Sequence, residues 1–398
     1  MSKGAVIISC VPRLNEAQQQ GMLNLINDIE VLGYTVYLWT DYDDVLSDYK
    51  LTYNDYNRGK ATLNYLQTQL RIDSEKWIVR LQRWNNTDSI IAKEEFNNAV
   101  KDCLKIFTAI EPVLFICWNP WSCRYGIAYD MARLLNIKTA AIEWGYLPAT
   151  FILDKVGTLA ASEIFNTDPF KDFSLEQVTN FLKIGENIYS QLNETSLSLY
   201  NQAQPDIPKE FLIESGVKIL VLGIDEIDSG AYPGEHDDRK GLLPYHNSSF
   251  DQAADIAAAD TGYRVIYKPH PAHNRYKNNL TKDNLAVVNG DPDVLIDWAD
   301  VVFCSGSKME FSVMLKGKPL LTYGTGLLYG KNCSYEVKIP AMLKQQIIKA
   351  LSKADADLQT HNFKAFLGYL SQEYLYKFDG NKVNLAERIL SADQNRKN

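Results

Sequence analysis

Three short, mostly apolar runs in the second half of the chain constrain the fold more than any other feature. They span 219–222, 264–267 and 301–303, and each is followed by polar residues. Apolar runs of this length are typical of strands buried on both faces of a parallel sheet. Open α/β sheets bind ligands at the carboxyl ends of their strands, so the residues after these runs are candidate ligand-binding residues.

The first half of the chain also alternates strand and helix patterns. A run over 5–11, a helical stretch over 15–32 closed by Gly33, and a run over 35–39 have the spacing of a βαβ unit, which pairs its strands in parallel. Elsewhere we predict strands over 76–81, 113–117 and 138–142 and near 286 and 319, helices over 90–110, 123–135, 174–200, 339–351, 361–374 and 384–390, and irregular structure over 147–163. The chain is therefore predicted to be α/β throughout.

A polar, Pro-containing stretch over 201–208 is typical of a linker. It predicts an N-terminal α/β domain over 1–205, a C-terminal α/β domain over 206–355, and a helical tail over 356–398 that packs back on the first domain. Two Rossmann-type domains facing a cleft, with C-terminal helices, describe a GT-B-like fold. One continuous doubly wound sheet is the alternative that the pattern leaves open.

Composition narrows the class of protein. The chain has 398 residues and a formal net charge of −8, which argues against a nucleic-acid surface. No apolar run approaches the roughly 18 residues of a membrane span, and the start lacks the apolar core of a signal peptide. The six cysteines lack the paired spacing of a zinc site. We expect a protein of the reducing cytoplasm.

The second apolar run ends in Lys268-Pro269-His270-Pro271. A lone His at a strand end most often only packs on its neighbours. Here two prolines stiffen the turn, and Lys268 adds positive potential that attracts a phosphate. A nearby anion raises the pKa of an imidazole into the range of a useful acid, so His270 is a candidate catalytic residue.

The third run ends in Ser305-Gly306-Ser307, before a helix predicted from about Lys308 to 315. A serine before a helix is commonly an N-cap. Free N–H groups at a helix start also favour an anion, and both functions are compatible. Glu310 is either an ordinary acidic residue of the first helical turn or an acceptor of hydrogen bonds from ribose hydroxyls. Together with the preceding motif, these residues suit a negatively charged leaving group and predict a nucleotide-sugar site.

An acidic loop follows the first run. Most of its carboxylates are expected to be solvated, but Asp228 precedes Ser-Gly, where glycine frees the backbone to aim a short carboxylate at the site. Asp228 is the preferred catalytic carboxylate, and Asp225 and Asp237 are alternatives. In the first domain, Glu143 and Glu163 are candidate acceptor-side residues.

The order of these motifs resembles the bacterial retaining β-Kdo transferases of capsule linkers and O-antigen synthases, where Kdo is 3-deoxy-D-manno-octulosonic acid. Bacterial sialyltransferases that use CMP-sugars show a similar order. The resemblance covers about 140–325, and Ile224 stands where capsule members tend to carry Gln. The matching segments are Asp228-Ser229, Lys268-Pro269-His270-Pro271, Ser305-Gly306-Ser307, Glu310, Gly317-Lys318-Pro319, Glu143-Trp144-Gly145-Tyr146 and Leu153-Asp154-x-x-Gly157.

The resemblance implies transfer of Kdo from CMP-β-Kdo with retention, through Asp228 as nucleophile and His270 as the residue that serves the leaving group. It implies a glycan acceptor of a surface polysaccharide or lipopolysaccharide, with Asp154 joining Glu143 and Glu163 on the acceptor side. No metal and no cofactor beyond the donor are expected. The implied donor-binding residues are Lys268, Pro271, Ser305, Gly306, Ser307, Lys308 and Glu310, with Lys268, Arg275 and Lys308 as alternatives for the carboxylate of Kdo.

Rival functions remain open at this point. They are a sialyltransferase that uses CMP-sialic acid, a GT-B enzyme that uses a UDP- or GDP-sugar, and a non-catalytic sugar-binding module. The chain is also compatible with being one module of a larger polysaccharide synthase, associated peripherally with the inner-membrane face.

Overall fold

The computed structural model describes residues 2–9, 12–42, 46–51, 72–165, 167–192, 197, 202–212, 215–226, 229–230, 248–271, 279–323, 326–380 and 383–391. The strands are β1 Ala5–Ser9, β2 Thr35–Trp39, β3 Pro112–Trp118, β4 Lys138–Trp144, β5 Thr150–Asp154, β6 Val217–Leu222, β7 Tyr263–Lys268, β8 Asn279–Lys282, β9 Leu285–Val287, β10 Val301–Phe303, β11 Leu320–Tyr323, β12 Tyr335–Val337 and β13 Leu375–Lys377. The helices are α1 Glu16–Val31, α2 Ser74–Asn85, α3 Ser89–Ile110, α4 Cys123–Leu134, α5 Leu175–Leu192, α6 Ser249–Ala259, α7 Pro292–Trp298, α8 Met309–Leu315, α9 Leu343–Leu351, α10 Ala356–Tyr369 and α11 Val383–Ser391.

The chain forms two compact units. Of the described residues, unit 1 contains those up to Glu163 and those from Glu373 onward, and unit 2 contains those between Ile164 and Gln372. These divisions differ from the predicted boundaries at 205 and 355. The difference arises because α5 and α10 pack so closely that a Cβ on Gly185 would lie 1.6 Å from the carbonyl oxygen of Lys364. Both helices therefore belong to unit 2.

Unit 1 is built on a six-stranded sheet in the order β13-β5-β4-β3-β1-β2. The pairs among β1, β2, β3 and β4 are parallel, and β5 pairs antiparallel with β4 and β13. Helix α1 begins with a capping box between Asn15 and Gln18. It buries Met22, Leu25 and Ile29 at helical spacing against one face of this sheet. The C-terminal segment contributes β13 at the sheet edge and α11 to the same core.

Two predictions in unit 1 are wrong. The stretch 76–81 is not a strand and lies inside α2, which begins where the side chain of Asp73 accepts a hydrogen bond from the Lys76 N–H. Trp77, Arg80 and Leu81 are buried at the i, i+3, i+4 spacing of a helix, which outweighs the strand propensity of Trp, Ile and Val. The segment 147–163, predicted to be irregular, contains β5.

Unit 2 is built on a seven-stranded sheet in the order β12-β11-β10-β6-β7-β9-β8, parallel except for β8. From β6 the chain adds β7 on one side and later returns to add β10 on the other. The sheet therefore has a topological switch point between β6 and β10. The prediction of two Rossmann-type α/β units with additional C-terminal helices is confirmed. Of the described helices, none combines the length and apolar character needed to cross a membrane.

Candidate functional site

The polar motifs of unit 2 lie at one edge of its sheet. Val221 of β6 pairs with Phe303 of β10 on one side and with Tyr267 of β7 on the other. Leu222 pairs with Lys268, whose carbonyl accepts a 2.7 Å hydrogen bond from the N–H of Gly223. The start of the Ser305 turn is thus about 10 Å from Lys268, two strand spacings across the sheet. These motifs flank the switch point, where open α/β sheets bind ligands.

Lys268 is a buried cation at this edge, with 4% of the residue exposed. Its ammonium donates to the carbonyl of Pro269 at 3.1 Å, and within the described residues Nζ has no second hydrogen-bond partner. Burial lowers the pKa of Lys268 to about 8, partly opposed by the charge of Asp291. An ammonium has three N–H donors, so Lys268 keeps donors that can bind an anion.

The acidic loop after β6 is anchored by Glu226, a residue that sequence reasoning did not select. Oε1 of Glu226 accepts from the N–H of Ser249 at 3.0 Å and from its hydroxyl at 2.8 Å. The same hydroxyl lies 3.1 Å from the Tyr267 hydroxyl, at the end of β7. The network therefore ties the loop to the first turn of α6 and to β7. Asp225, half-buried beside it, accepts through its carbonyl from the Ser229 N–H at 2.9 Å.

The predicted residues that follow β7 and β6 are described in part. His270 and Pro271 are half-buried and directly follow β7. The preferred nucleophile Asp228, the alternative Asp237, and Arg275 lie outside the described residues.

The turn after β10 is held by side-chain hydrogen bonds. The buried hydroxyl of Ser305 accepts from the N–H of Tyr323 on β11 at 2.7 Å. Gly306 has a φ of +75°, a conformation that glycine adopts without strain. The hydroxyl of Ser307 accepts from the N–H of Met309, where α8 begins one residue later than predicted. Lys308 is half-buried beside it.

Glu310 lies completely buried in the first turn of α8. Its carboxylate accepts from the N–H groups of Gly306 at 2.6 Å, Leu328 at 2.8 Å and Leu327 at 3.4 Å. Burial raises the pKa of Glu310 to about 7, although hydrogen bonds from the backbone act in the opposite direction. The carboxylate thus joins the turn after β10 to the segment after β11.

Among the predicted acceptor-side residues of unit 1, Asp154 is the most enclosed. It accepts from the N–H groups of Val156, Gly157 and Glu163 and from the hydroxyl of Tyr374 at 2.6 Å. Burial, followed by the charge of Glu163, raises the pKa of Asp154.

The other two acceptor-side candidates are more accessible. Glu163 is half-buried and forms 3.5 Å ion pairs with Lys155 and Arg388. Glu143, also half-buried, accepts from the N–H of Trp144 at 2.9 Å. Asp154 and Glu163 therefore lie together in unit 1, with Glu143 further along β4. In the described part of the chain, no group of three or more His, Cys, Asp or Glu side chains could hold a metal ion.

No protein-family model matches the chain, and no curated protein matches it. Among solved structures, the β-Kdo 2,4-transferase of Thermosulfurimonas dismutans KpsC is 16% identical, with a TM-score of 0.44, covering 69% of this chain and 86% of that chain. The β-Kdo 2,7-transferase of the same protein is 12% identical, with a TM-score of 0.43, covering 87% and 90%. A glycosyltransferase from Rickettsia africae ESF-5 is 11% identical, with a TM-score of 0.35, covering 98% and 100%. At such identities a likeness concerns the fold alone, and at TM-scores below 0.5 it assigns no function to this chain.

Proposed function

We propose that this chain is a glycosyltransferase that uses a CMP-activated sugar, and that the sugar is Kdo. The observation that carries the proposal is the buried ammonium of Lys268 at the carboxyl end of β7, beside His270 and across the switch point from the 305–307 turn. A cation removed from water binds an anion more strongly than a surface lysine does. The motif order that resembles retaining β-Kdo transferases supports CMP-β-Kdo as the donor.

The proposed reaction proceeds through two displacements. The carboxylate of Asp228 attacks the anomeric carbon of Kdo while the bond from that carbon to the phosphate oxygen of CMP breaks. The acceptor hydroxyl then attacks the same carbon, loses its proton, and releases the carboxylate. Each displacement inverts the anomeric configuration, so the product retains it. Asp225 and Asp237 are the alternative nucleophiles.

In this scheme the main requirement for the departure of CMP is stabilisation of the negative charge on its phosphate. Lys268 contributes a cation and His270 a proton or hydrogen bond at the carboxyl end of β7. The hydroxyls of Ser305 and Ser307, with the adjoining Gly306 and Lys308, border the other side of the switch point. No metal is required, because CMP carries a single phosphate.

The proposed acceptor is a glycan of a bacterial surface polysaccharide or a lipid-linked precursor. Glu143 and Glu163, both half-buried, are the proposed acceptor-side groups. Asp154 fits a supporting role better, since both of its carboxylate oxygens accept hydrogen bonds from unit 1. We further propose that the chain works in the cytoplasm or at the inner-membrane face, as a module of a polysaccharide synthase.

The proposal is tested by incubating the purified protein with CMP-Kdo, CMP-sialic acid, UDP-sugars and GDP-sugars and measuring which nucleotide is released. We expect release of CMP from CMP-Kdo, faster when a glycan acceptor is present, and a β-linked product by NMR. Release from CMP-sialic acid alone would reassign the donor to sialic acid. Release of UDP or GDP, or binding without release from any donor, would contradict the proposed function.

A further inference from the structure

Glu310 links two segments that follow neighbouring strands. The 305–307 turn follows β10, and the 326–328 segment comes after β11. One carboxylate accepts N–H groups from both, at 2.6 Å from Gly306 and at 2.8 Å from Leu328. These donors lie 4 and 18 residues from Glu310 in sequence. The contact is therefore a product of the fold, and it joins the two segments beyond the paired residues of β10 and β11.

The two segments approach each other so closely that little space remains around the carboxylate of Glu310. A Cβ on Gly326 would lie 3.2 Å from Oε1 of Glu310 and 3.6 Å from the backbone nitrogen of Gly306. A buried N–H without an acceptor is strongly unfavourable, and here three N–H groups depend on one side chain. Glu310 also has no exposed surface with which to contact a ligand.

We propose that Glu310 is a positioning residue whose carboxylate ties the 305–307 turn to the 326–328 segment and so holds the donor side of the site in its binding shape. The effect on donor binding rests on the proposed function, whereas the link between the two segments does not. Glu310 thus acts on the donor through the backbone that it holds, and a direct hydrogen bond to ribose is not needed.

The link depends on the ionisation of Glu310. The carboxylate has a pKa of about 7 because burial disfavours its charge, and protonation converts one acceptor oxygen into a donor. We therefore expect the link to weaken as the pH falls below about 7. Among the described residues, the titratable groups that interact electrostatically with Glu310 are Cys304, Lys331 and Cys333.

None of these three neighbours changes charge between pH 6 and 7. Burial raises the pKa of both thiols, so they stay protonated in this range. Burial lowers the pKa of Lys331 only to about 8, so it stays charged. An imidazole ordinarily titrates near this range, so a His270→Ala variant is needed beside the Glu310 variant.

The test compares Glu310→Gln with Glu336→Gln. Glu336→Gln is the matched control, because it makes the same substitution in unit 2. Glu336 accepts a hydrogen bond from the N–H of Gly330 at 2.6 Å. Hydrogen exchange measured by mass spectrometry reports on peptides that cover 305–308 and 326–329, and calorimetric titration reports the affinity for CMP. Should Glu310→Gln fail to fold, Gly326→Ala disturbs the same contact from the other side.

We expect Glu310→Gln to increase exchange in both peptides together and to weaken CMP binding by roughly tenfold or more, with no change in Glu336→Gln. Wild-type CMP affinity should fall between pH 7 and 6, a step that disappears in Glu310→Gln and persists in His270→Ala. Unchanged exchange in Glu310→Gln would overturn the link. Increased exchange with unchanged CMP affinity would overturn the positioning role. If wild-type protein binds no CMP, the proposed function fails, and the exchange data still decide whether Glu310 joins the two segments.

Discussion

Among the described residues, each unit has one carboxylate with no exposed surface, Asp154 in unit 1 and Glu310 in unit 2, and the two carboxylates join different parts of the fold. Asp154 of unit 1 accepts hydrogen bonds within one loop and from Tyr374, close to β13. Glu310 of unit 2 joins segments that follow two neighbouring parallel strands, beside a switch point. The surroundings also differ, because the same edge of unit 2 holds Lys268 with donors still available to an anion.

The difference between the two units distinguishes buried charges that stabilise the fold from buried charges that bind a ligand. A carboxylate satisfied within its own loop stabilises the fold, and removing it should reduce stability more than ligand binding. Charged groups that keep hydrogen-bonding capacity at the ligand-binding edge of an open sheet, such as Lys268, should affect binding and turnover more than stability. Substitution of Asp154 should therefore reduce stability more than activity, and substitution of the ligand-binding residues of unit 2 should reduce activity more than stability.

The largest expected effect is that of Asp228→Ala. If Asp228 is the nucleophile, this variant should lose roughly 1,000-fold or more in transfer while its unfolding midpoint stays near that of wild type. Mass spectrometry of wild-type protein mixed with donor and no acceptor should show a Kdo adduct on the peptide that carries Asp228.

An adduct on Asp225 or Asp237 would keep the mechanism and change the residue. Active wild-type enzyme without any adduct, together with an Asp228→Ala variant that still transfers sugar, would favour front-side substitution instead.

His270→Ala should lower turnover by about 100-fold, the range usual for loss of a general acid, without loss of stability. Steady-state kinetics with CMP-Kdo and thermal unfolding measure the two quantities. Near-normal turnover would mean that His270 only packs at the end of β7.

Asp154→Asn should show the opposite profile. The amide keeps the size of the side chain but places N–H donors against N–H donors, so we expect a loss of about 2 kcal/mol in the free energy of unfolding. Tyr374→Phe removes one of the same hydrogen bonds and should cost about 1 kcal/mol. CMP affinity should be unchanged in both variants. A stable Asp154→Asn protein with impaired transfer would instead support a direct acceptor-side role.

The smallest expected effect is a pH dependence of donor binding. Burial lowers the pKa of Lys268 in the free protein to about 8, and only its protonated form attracts an anion. CMP affinity should therefore fall between pH 7 and pH 9, by up to about tenfold at pH 9, one unit above that pKa. Titrations at pH 7, 8 and 9 test the sign, and an affinity that rises from pH 7 to pH 9 would contradict it.

Much of the fold could be predicted from the sequence, because buried parallel strands leave nearly continuous apolar runs. The strands around 219, 264, 286, 301 and 319 all have this signature. The stretch 76–81 was wrongly predicted to be a strand, because Trp, Ile and Val favour strands locally whereas packing in the fold selects a helix. Strand β5 was missed because it pairs antiparallel with β4 without an intervening helix, outside the alternation of strands and helices that the pattern follows.

The site was predictable in part. Lys268 and the 305–307 turn could be found because each lies at the carboxyl end of a recognisable strand. The burial of Lys268 and the contacts of Glu310 could not be found, since Leu327 and Leu328 reach Glu310 only through the fold. The partner of Glu226, Ser249, likewise lies far along the chain, and the Ser249 hydroxyl in turn contacts Tyr267.

The most direct test of the account is a calorimetric titration of CMP into wild-type protein and two matched lysine variants. Lys268→Met removes the buried cation at the carboxyl end of β7, and Lys218→Met removes a half-buried cation near the start of β6, at the opposite edge of the same sheet. We expect wild type to bind CMP more tightly than UMP, GMP or UDP. Lys268→Met should weaken CMP binding by roughly 10- to 100-fold, as expected for a charge-assisted hydrogen bond, and Lys218→Met should match wild type. Equal affinity for CMP and UDP, or a Lys268→Met variant that binds CMP as wild type does, would contradict the account.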